Sequence, residues 1–209
     1  MVSVKICGIT RKEDALAAAE EGASAVGFIF VPSSPRRIEP ASAAEIIRAL
    51  PPFVTPVGVF VNAGREVIMR TIGATGVRCL QLHGDEPPSE TEGYPLPVIK
   101  AFRVGVDFDE KAMEAYTVPA YLLDASVPGR YGGTGRTFDW AIARRASMSR
   151  RIILSGGLTP ANAAGAAAAS GAYGIDLSSG LESVPGVKDS RKIRELFRNL
   201  RGEPAPRTS

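Results

Sequence analysis

The sequence predicts a single α/β domain folded as a (β/α)8 TIM barrel. Three observations carry this expectation. Eight short apolar runs recur from one end of the chain to the other, helical patterns rich in Ala, Glu and Arg separate them, and 209 residues suit one such unit. Alternation on this scale gives βαβ units and a parallel sheet, and eight units close into a barrel. An open doubly wound sheet would alternate as well, but no GxGxxG follows any of the runs.

The first run, 2–7 (VSVKIC), leads into a helical pattern near 12–21; the second, 24–31 (SAVGFIFV), into one near 40–50; the third, 55–61 (TPVGVFV), into one near 64–75. The fourth, 77–83 (VRCLQLH), is followed by a short, poorly marked pattern at 85–92, and the fifth, 97–102 (PVIKAF), by one at 108–116. The sixth, 120–124 (AYLLD), the seventh, 151–155 (RIILS), and the eighth, 173–178 (YGIDLS), precede helices near 138–147, 159–170 and 189–200. Thr159-Pro160 reads as a capping residue before a proline at the first helical position, and Asp189 opens the last helix. The barrel is expected to occupy 1–201, with the Pro-rich, polar segment 202–209 (GEPAPRTS) as a flexible tail.

Composition narrows the function. The 22 glycines and 16 prolines make a turn-rich chain without the bias of a disordered one. Lys and Arg number 25 against 22 Asp and Glu, a net charge of +3 with no basic stripe interleaved with aromatics, so nucleic acid is not expected as a partner and a small anionic molecule is. Two cysteines and one histidine cannot fill a structural zinc site, HExxH is absent, and no metal is called for. No apolar run approaches the ~18 residues of a spanning helix, and the charged opening MVSVKICGITRKEDA lacks the apolar stretch of a signal peptide. No membrane association and a reducing, cytoplasmic setting are therefore expected. The sequence leaves monomer and homodimer equally open.

Alternate side chains of a strand share a face, so the inner face follows once apolar residues are turned toward the helices. That count sends Val4 and Ile6 outward and Lys5 and Cys7 inward, Leu80 and Leu82 outward and Gln81 and His83 inward, Tyr121 and Leu123 outward and Leu122 and Asp124 inward. Ser155, Asp176 and Ser178 also fall inside, and Asn62 lies just beyond Phe60. Polar inward residues thus gather at the carboxyl ends of the strands, where barrel enzymes place their sites.

Cys7 closes the first strand before Gly8 and Thr10. Its thiolate would serve as a proton acceptor where neighbouring cations lower its pKa, and Lys5 lies two residues away on the same face. The plainer reading, a small buried hydrophobe, stands equally open for Cys7 on spacing alone and is the one given to Cys79. Asp124 ends AYLLD ahead of the Gly-rich PGRYGGTGR. A carboxylate left bare in an apolar interior is very costly, so Asp124 is either paired with an interior lysine or a general acid. After the last two strands, Gly156 and Gly157, then Ser178 and Ser179, let backbone amides converge on an anion, as in the phosphate site of many barrels; the plainer reading is a pair of tight turns. Arg36, on the Pro-rich VPSSPRR loop, is suited to a substrate carboxylate, with Arg37 competing for the role. His83 reads as a ring satisfied by backbone hydrogen bonds.

These residues together resemble the phosphoribosylanthranilate isomerase family of tryptophan biosynthesis. The similarity runs in order through KICGIT at 5–10, GFIFVPSSPR at 27–36, GVFVN at 58–62, QLHG at 81–84, LLDA at 122–125, GGTGRTFDW at 132–140, LSGGLTPAN at 155–162 and GIDLSSGLESVPGVKD at 174–189. The resemblance implies an Amadori rearrangement of N-(5-phosphoribosyl)anthranilate to 1-(2-carboxyphenylamino)-1-deoxyribulose 5-phosphate, with no metal or redox cofactor. It implies Cys7 as general base, Asp124 as general acid, Arg36 on the anthranilate carboxylate, Gly156, Gly157, Ser178 and Ser179 on the phosphate, Asp176 in support, and the GGTG loop over the substrate. Ala63 and Gly64 after GVFVN, and the Ala-rich seventh helix, depart from the pattern away from this chemistry. Two rivals stand beside it: an aminoaldose-phosphate isomerase of the histidine-pathway type, against which the cysteine ending strand one counts, and a non-catalytic phosphosugar-binding barrel, against which the intact Cys7 and Asp124 count.

Overall fold

A computed structural model describes residues 2–105, 108–125 and 138–204 of the chain. Eight strands, β1 (Ser3–Cys7), β2 (Ala25–Ile29), β3 (Thr55–Phe60), β4 (Cys79–Leu82), β5 (Val98–Val104), β6 (Ala120–Ala125), β7 (Ile152–Leu154) and β8 (Gly174–Leu177), form a closed barrel in chain order. Each pairs in parallel with the next, and β8 pairs with β1 to close the seam, setting Lys5 beside Asp176. The strands read as near-continuous apolar runs because parallel strands covered by helices are buried on both faces.

The alternation expected from the sequence is the one observed. Val4, Ile6, Tyr121 and Leu123 join the layer between barrel and helices, and Leu80 and Leu82 pack there with Ile68 and Val98. Inside, Val57, Cys79, Ile99, Ala101, Ala120, Leu122 and Ile153 form a separate apolar plug toward the amino-terminal end. The polar inner residues stand above that plug, which closes the barrel from below and leaves the carboxyl ends of the strands to carry chemistry.

The described residues contain six α-helices: α1 (Lys12–Glu21), α2 (Pro40–Arg48), α3 (Arg65–Thr75), α4 (Trp140–Ser147), α5 (Ala163–Ser170) and α6 (Ser190–Arg201). The helices expected near 85–92 and 108–116 are instead short 3-10 segments, Pro88–Thr91 and Glu110–Ala115. In the first of these, Pro87 and Pro88 remove backbone donors where a helix would have to begin. Thr159-Pro160 does not cap α5; it begins a preceding turn in which Asn162 Oδ1 accepts from the Thr159 amide at 2.8 Å, and Asn162 is the N-cap. Asp189 caps α6 as expected, accepting from Arg191 N at 2.9 Å. A feature absent from the sequence reading follows β8: a 3-10 turn, Ser179–Leu181, and an antiparallel hairpin of β9 (Glu182–Val184) and β10 (Val187–Lys188).

Gly202, Glu203 and Pro204 are exposed beyond α6. The rest of the expected tail, and the GGTG loop at 132–135, lie outside the described residues. Among the described residues no helix is long and apolar enough to cross a membrane.

Candidate active site

Each strand that ends in a polar inner residue delivers it to the same mouth. β1 brings Lys5 and Cys7, both buried, and β8 brings Asp176, whose Oδ1 lies 2.9 Å from Lys5 Nζ. Gly27 on β2 is the floor on which the β1 pair meets, since a Cβ there would lie 2.9 Å from Cys7 Sγ and 3.2 Å from Lys5 Cε. Burial alone would lower the Lys5 pKa, but Asp176 and Cys7 outweigh it and hold the ammonium above its ordinary value. For Cys7 the balance falls the other way: burial pushes the thiol up, while Lys5 and, more weakly, Lys188 pull against the rise.

Asp124, at the end of β6, is also buried. The interior lysine that the plainer reading required is taken by Asp176, and the neighbour of Asp124 is His83, with Nε2 at 3.3 Å from Asp124 Oδ2. His83 is therefore held by side chains and not by backbone groups: Gln81 Nε2 lies 2.7 Å from His83 Nδ1. Asp176 senses the charges of Lys5, Asp124 and His83 together, so one polar array runs from Cys7 across the mouth to Gln81.

The two loops expected to hold an anion lie against this array. Gly156 has φ of 88°, and a Cβ on it would lie 2.4 Å from the Ala125 amide nitrogen and 3.0 Å from Asp124 Oδ1. Only glycine lets the β7 loop approach the carboxyl group that closely. Gly157 follows at φ of 63°. A Cβ on Gly180 would fall 2.0 Å from the Leu158 carbonyl oxygen, so the β8 loop, with Ser178 and Ser179, is pressed onto the β7 loop. Ser178 Oγ is buried with no hydrogen-bond partner among the described residues, a donor available to a ligand.

Arg36 reaches this mouth and Arg37 does not. Arg37 turns outward and pairs with Glu39 at 2.5 Å, both side chains largely exposed. The stem of Arg36 runs over the turn after Cys7, where a Cβ on Gly8 would lie 2.8 Å from Arg36 Cδ and 3.2 Å from Ser178 Oγ. Its guanidinium is held by Glu182, Nε to Oε1 and Nη2 to Oε2, each at 2.8 Å. Glu182 and Lys188 were not singled out by sequence reasoning, although both stand in GLESVPGVKD; the only available signal was charge beside a predicted anion loop.

A second buried cluster braces the β4 loop where an α-helix is missing. Lys100 Nζ donates to Glu86 Oε2 at 2.8 Å and to the Gly84 carbonyl at 2.7 Å, and Glu86 Oε1 accepts from Asn62 N at 2.8 Å. Asn62, expected at the mouth, belongs to this brace: its Oδ1 accepts from Asp85 N at 2.7 Å, and its φ of 49° is a conformation Asn tolerates. Cys79 lies in the plug below, where burial raises its pKa to about 11. Among the described residues no group of three or more His, Cys, Asp or Glu is arranged to hold a metal ion.

Comparison with known proteins agrees with the barrel fold. Residues 4–199 match the family model of N-(5'phosphoribosyl)anthranilate (PRA) isomerase. The chain is 50% identical over 198 residues to the N-(5'-phosphoribosyl)anthranilate isomerase of Pelobacter propionicus, covering 95% of each sequence. It superposes on the phosphoribosyl anthranilate isomerase of Thermus thermophilus with a TM-score of 0.89 at 42% identity, covering 96% of this chain and 99% of that one. A solved isomerase in complex with reduced 1-(o-carboxyphenylamino)-1-deoxyribulose 5-phosphate matches with a TM-score of 0.83 at 39% identity, covering 97% and 100%. Monomers made from the dimeric Thermotoga maritima enzyme match with a TM-score of 0.82 at 37% identity, again covering 97% and 100%.

Proposed function

Because the chain belongs to the N-(5'-phosphoribosyl)anthranilate isomerase family, and converts N-(5-phosphoribosyl)anthranilate to 1-(2-carboxyphenylamino)-1-deoxyribulose 5-phosphate in tryptophan biosynthesis, we propose that Cys7 and Asp124 are the base and acid of that rearrangement. Asp124 gives a proton to the furanose ring oxygen as the C1′–O bond breaks, and the anthranilate nitrogen takes up the positive charge as an iminium. Cys7 then removes the C2′ proton, leaving an enolamine. Ketonisation returns one proton to C1′ and releases one from the 2′-hydroxyl, so acid and base are restored and the overall change is an isomerisation.

The observation that carries this reading is the joining of Cys7, Lys5, Asp176, Asp124 and His83 into one buried array, with the Gly156 loop laid directly on the Asp124 carboxyl group. A phosphate held by Gly156, Gly157, Ser178 and Ser179 would present the attached pentose to both groups. Arg36 would take the anthranilate carboxylate, and Asp176 supports the site by keeping Lys5 charged beside Cys7. No step calls for a cofactor. The test follows substrate fluorescence: Cys7→Ser and Asp124→Asn should each lower kcat by about 10²–10⁴-fold, and unchanged turnover in either variant would refute its assigned role.

The same reading extends to assembly and setting. The residues 1–201 act as the catalytic unit, with the short tail dispensable. Two free, buried cysteines suit a reducing cytoplasm. Phe53 is 95% exposed two residues before β3, whose Thr55 and Val57 help to line a 170 Å³ cavity at the base of the barrel, and the exposed ring at this end supports a homodimer.

A further inference from the structure

We propose that Glu182 is a positioning residue that fixes which edge of Arg36 is offered to the substrate carboxylate, and so sets the selectivity of the site for a carboxylated aromatic amine. The proposal rests on the assignment of Arg36 to that carboxylate. A guanidinium has two edges able to hold a carboxylate through two parallel hydrogen bonds, one formed by Nε with Nη2 and one by Nη1 with Nη2. Glu182 occupies the first of these with two bonds of 2.8 Å. The second is the edge left for a ligand.

The resident carboxylate is itself held from several directions. Its Oε1 accepts from Lys188 Nζ at 2.9 Å and from Gly186 N at 3.2 Å. Glu182 and Lys188 face each other in the β9–β10 hairpin, whose backbone is tied to α1 by Lys188 N donating to Asp14 Oδ2 at 2.9 Å. At the other end of the arginine, the bare Gly8 turn receives the stem. Arg36 is thus fixed in position and in rotation before any substrate arrives, which avoids the entropy cost of ordering a long side chain on binding. Charge agrees with this role: two cations, Arg36 and Lys188, surround one anion, Glu182, leaving one positive charge for the single carboxylate of the anthranilate ring.

Two competitive ligands separate positioning from general damage. Reduced 1-(2-carboxyphenylamino)-1-deoxyribulose 5-phosphate carries the carboxylate, and ribulose 5-phosphate carries the phosphate alone. Glu182→Gln should raise KM and weaken the carboxylated ligand by about tenfold or more. Its kcat should stay within about threefold and its affinity for ribulose 5-phosphate within about twofold. Glu182→Asp, which keeps the charge, should show the same selective loss to a smaller degree, and it serves as the test should the glutamine variant not fold. Equal weakening of both ligands, or no change in either, overturns the proposal. Arg36→Met distinguishes the underlying assignment: if that variant still prefers the carboxylated ligand, the role of Arg36 fails, whereas loss of preference in Arg36→Met but not in Glu182→Gln removes only the role of Glu182.

Discussion

Under the proposed assignment Cys7 takes a proton from carbon, and burial makes its thiol less acidic. Burial raises the Cys7 pKa, and Lys5 is the strongest influence pulling it back. The base form therefore grows as pH rises from neutral, and kcat/KM is expected to climb through the alkaline range. Removing Lys5 alone would leave Asp176 buried without its partner, so the informative variant is Lys5→Met with Asp176→Asn. Because Lys5 lowers the Cys7 pKa more than Asp176 raises it, the double variant's pH–rate profile should move to higher pH. A profile that stays in place would show that Lys5 does not tune the thiol. Glu182 gives the matching acid-side expectation for stability. Burial favours its neutral form, but Arg36 and Lys188 outweigh this and hold its pKa below the ordinary carboxylate value. Its stabilising contribution is thus complete above the unfolded-state pKa of about 4.3 and disappears as pH falls through the lower folded value. Urea unfolding across that window should show the wild type losing more stability than Glu182→Gln. At this scale Cys7 and Asp124 were legible because a period of two decides which residues face inward. The Arg36–Glu182 bond was not, because nothing local in a sequence announces a contact across 146 positions.

Among the elements, the barrel strands were read correctly and two of the helices were not. Where β4 and β5 return through 3-10 segments, cover comes from a buried ion pair beside β4 and from Met113, Phe108 and Tyr116 beside β5. Lys100 and Glu86 are each about 2% exposed, and both make further bonds to the β3 and β4 loops. Lys100→Met would strand the Glu86 charge, and a loss of about 3–5 kcal/mol is expected in chemical denaturation. The paired change Lys100→Met with Glu86→Gln should recover part of it, and a single variant as stable as the wild type would show that the brace is idle. The hairpin after β8 escaped the sequence reading for a related reason: strands of three and two residues leave too short a pattern to detect.

For the whole molecule, the proposed chemistry and the proposed dimer face lie at opposite ends of the barrel. Polar groups fill the carboxyl end, while the apolar plug, its small cavity and the bare ring of Phe53 lie at the other. Light scattering should report a dimer for the wild type and a monomer for Phe53→Asp, with turnover per chain little changed; a wild-type monomer would remove the homodimer from the reading. The Lys5–Asp176 pair has a different bearing on the molecule. It links the first barrel strand to the last, so the cation that pulls the Cys7 thiol down and the carboxylate that pairs with that cation stand 171 positions apart in the sequence. A nascent chain still on the ribosome, with its opening strand already made, has no counterion for that lysine until residue 176 emerges. A product truncated before β8 is therefore expected to be inactive however well its early segments pack, since the seam beside β1 stays open and Lys5 stays unpaired.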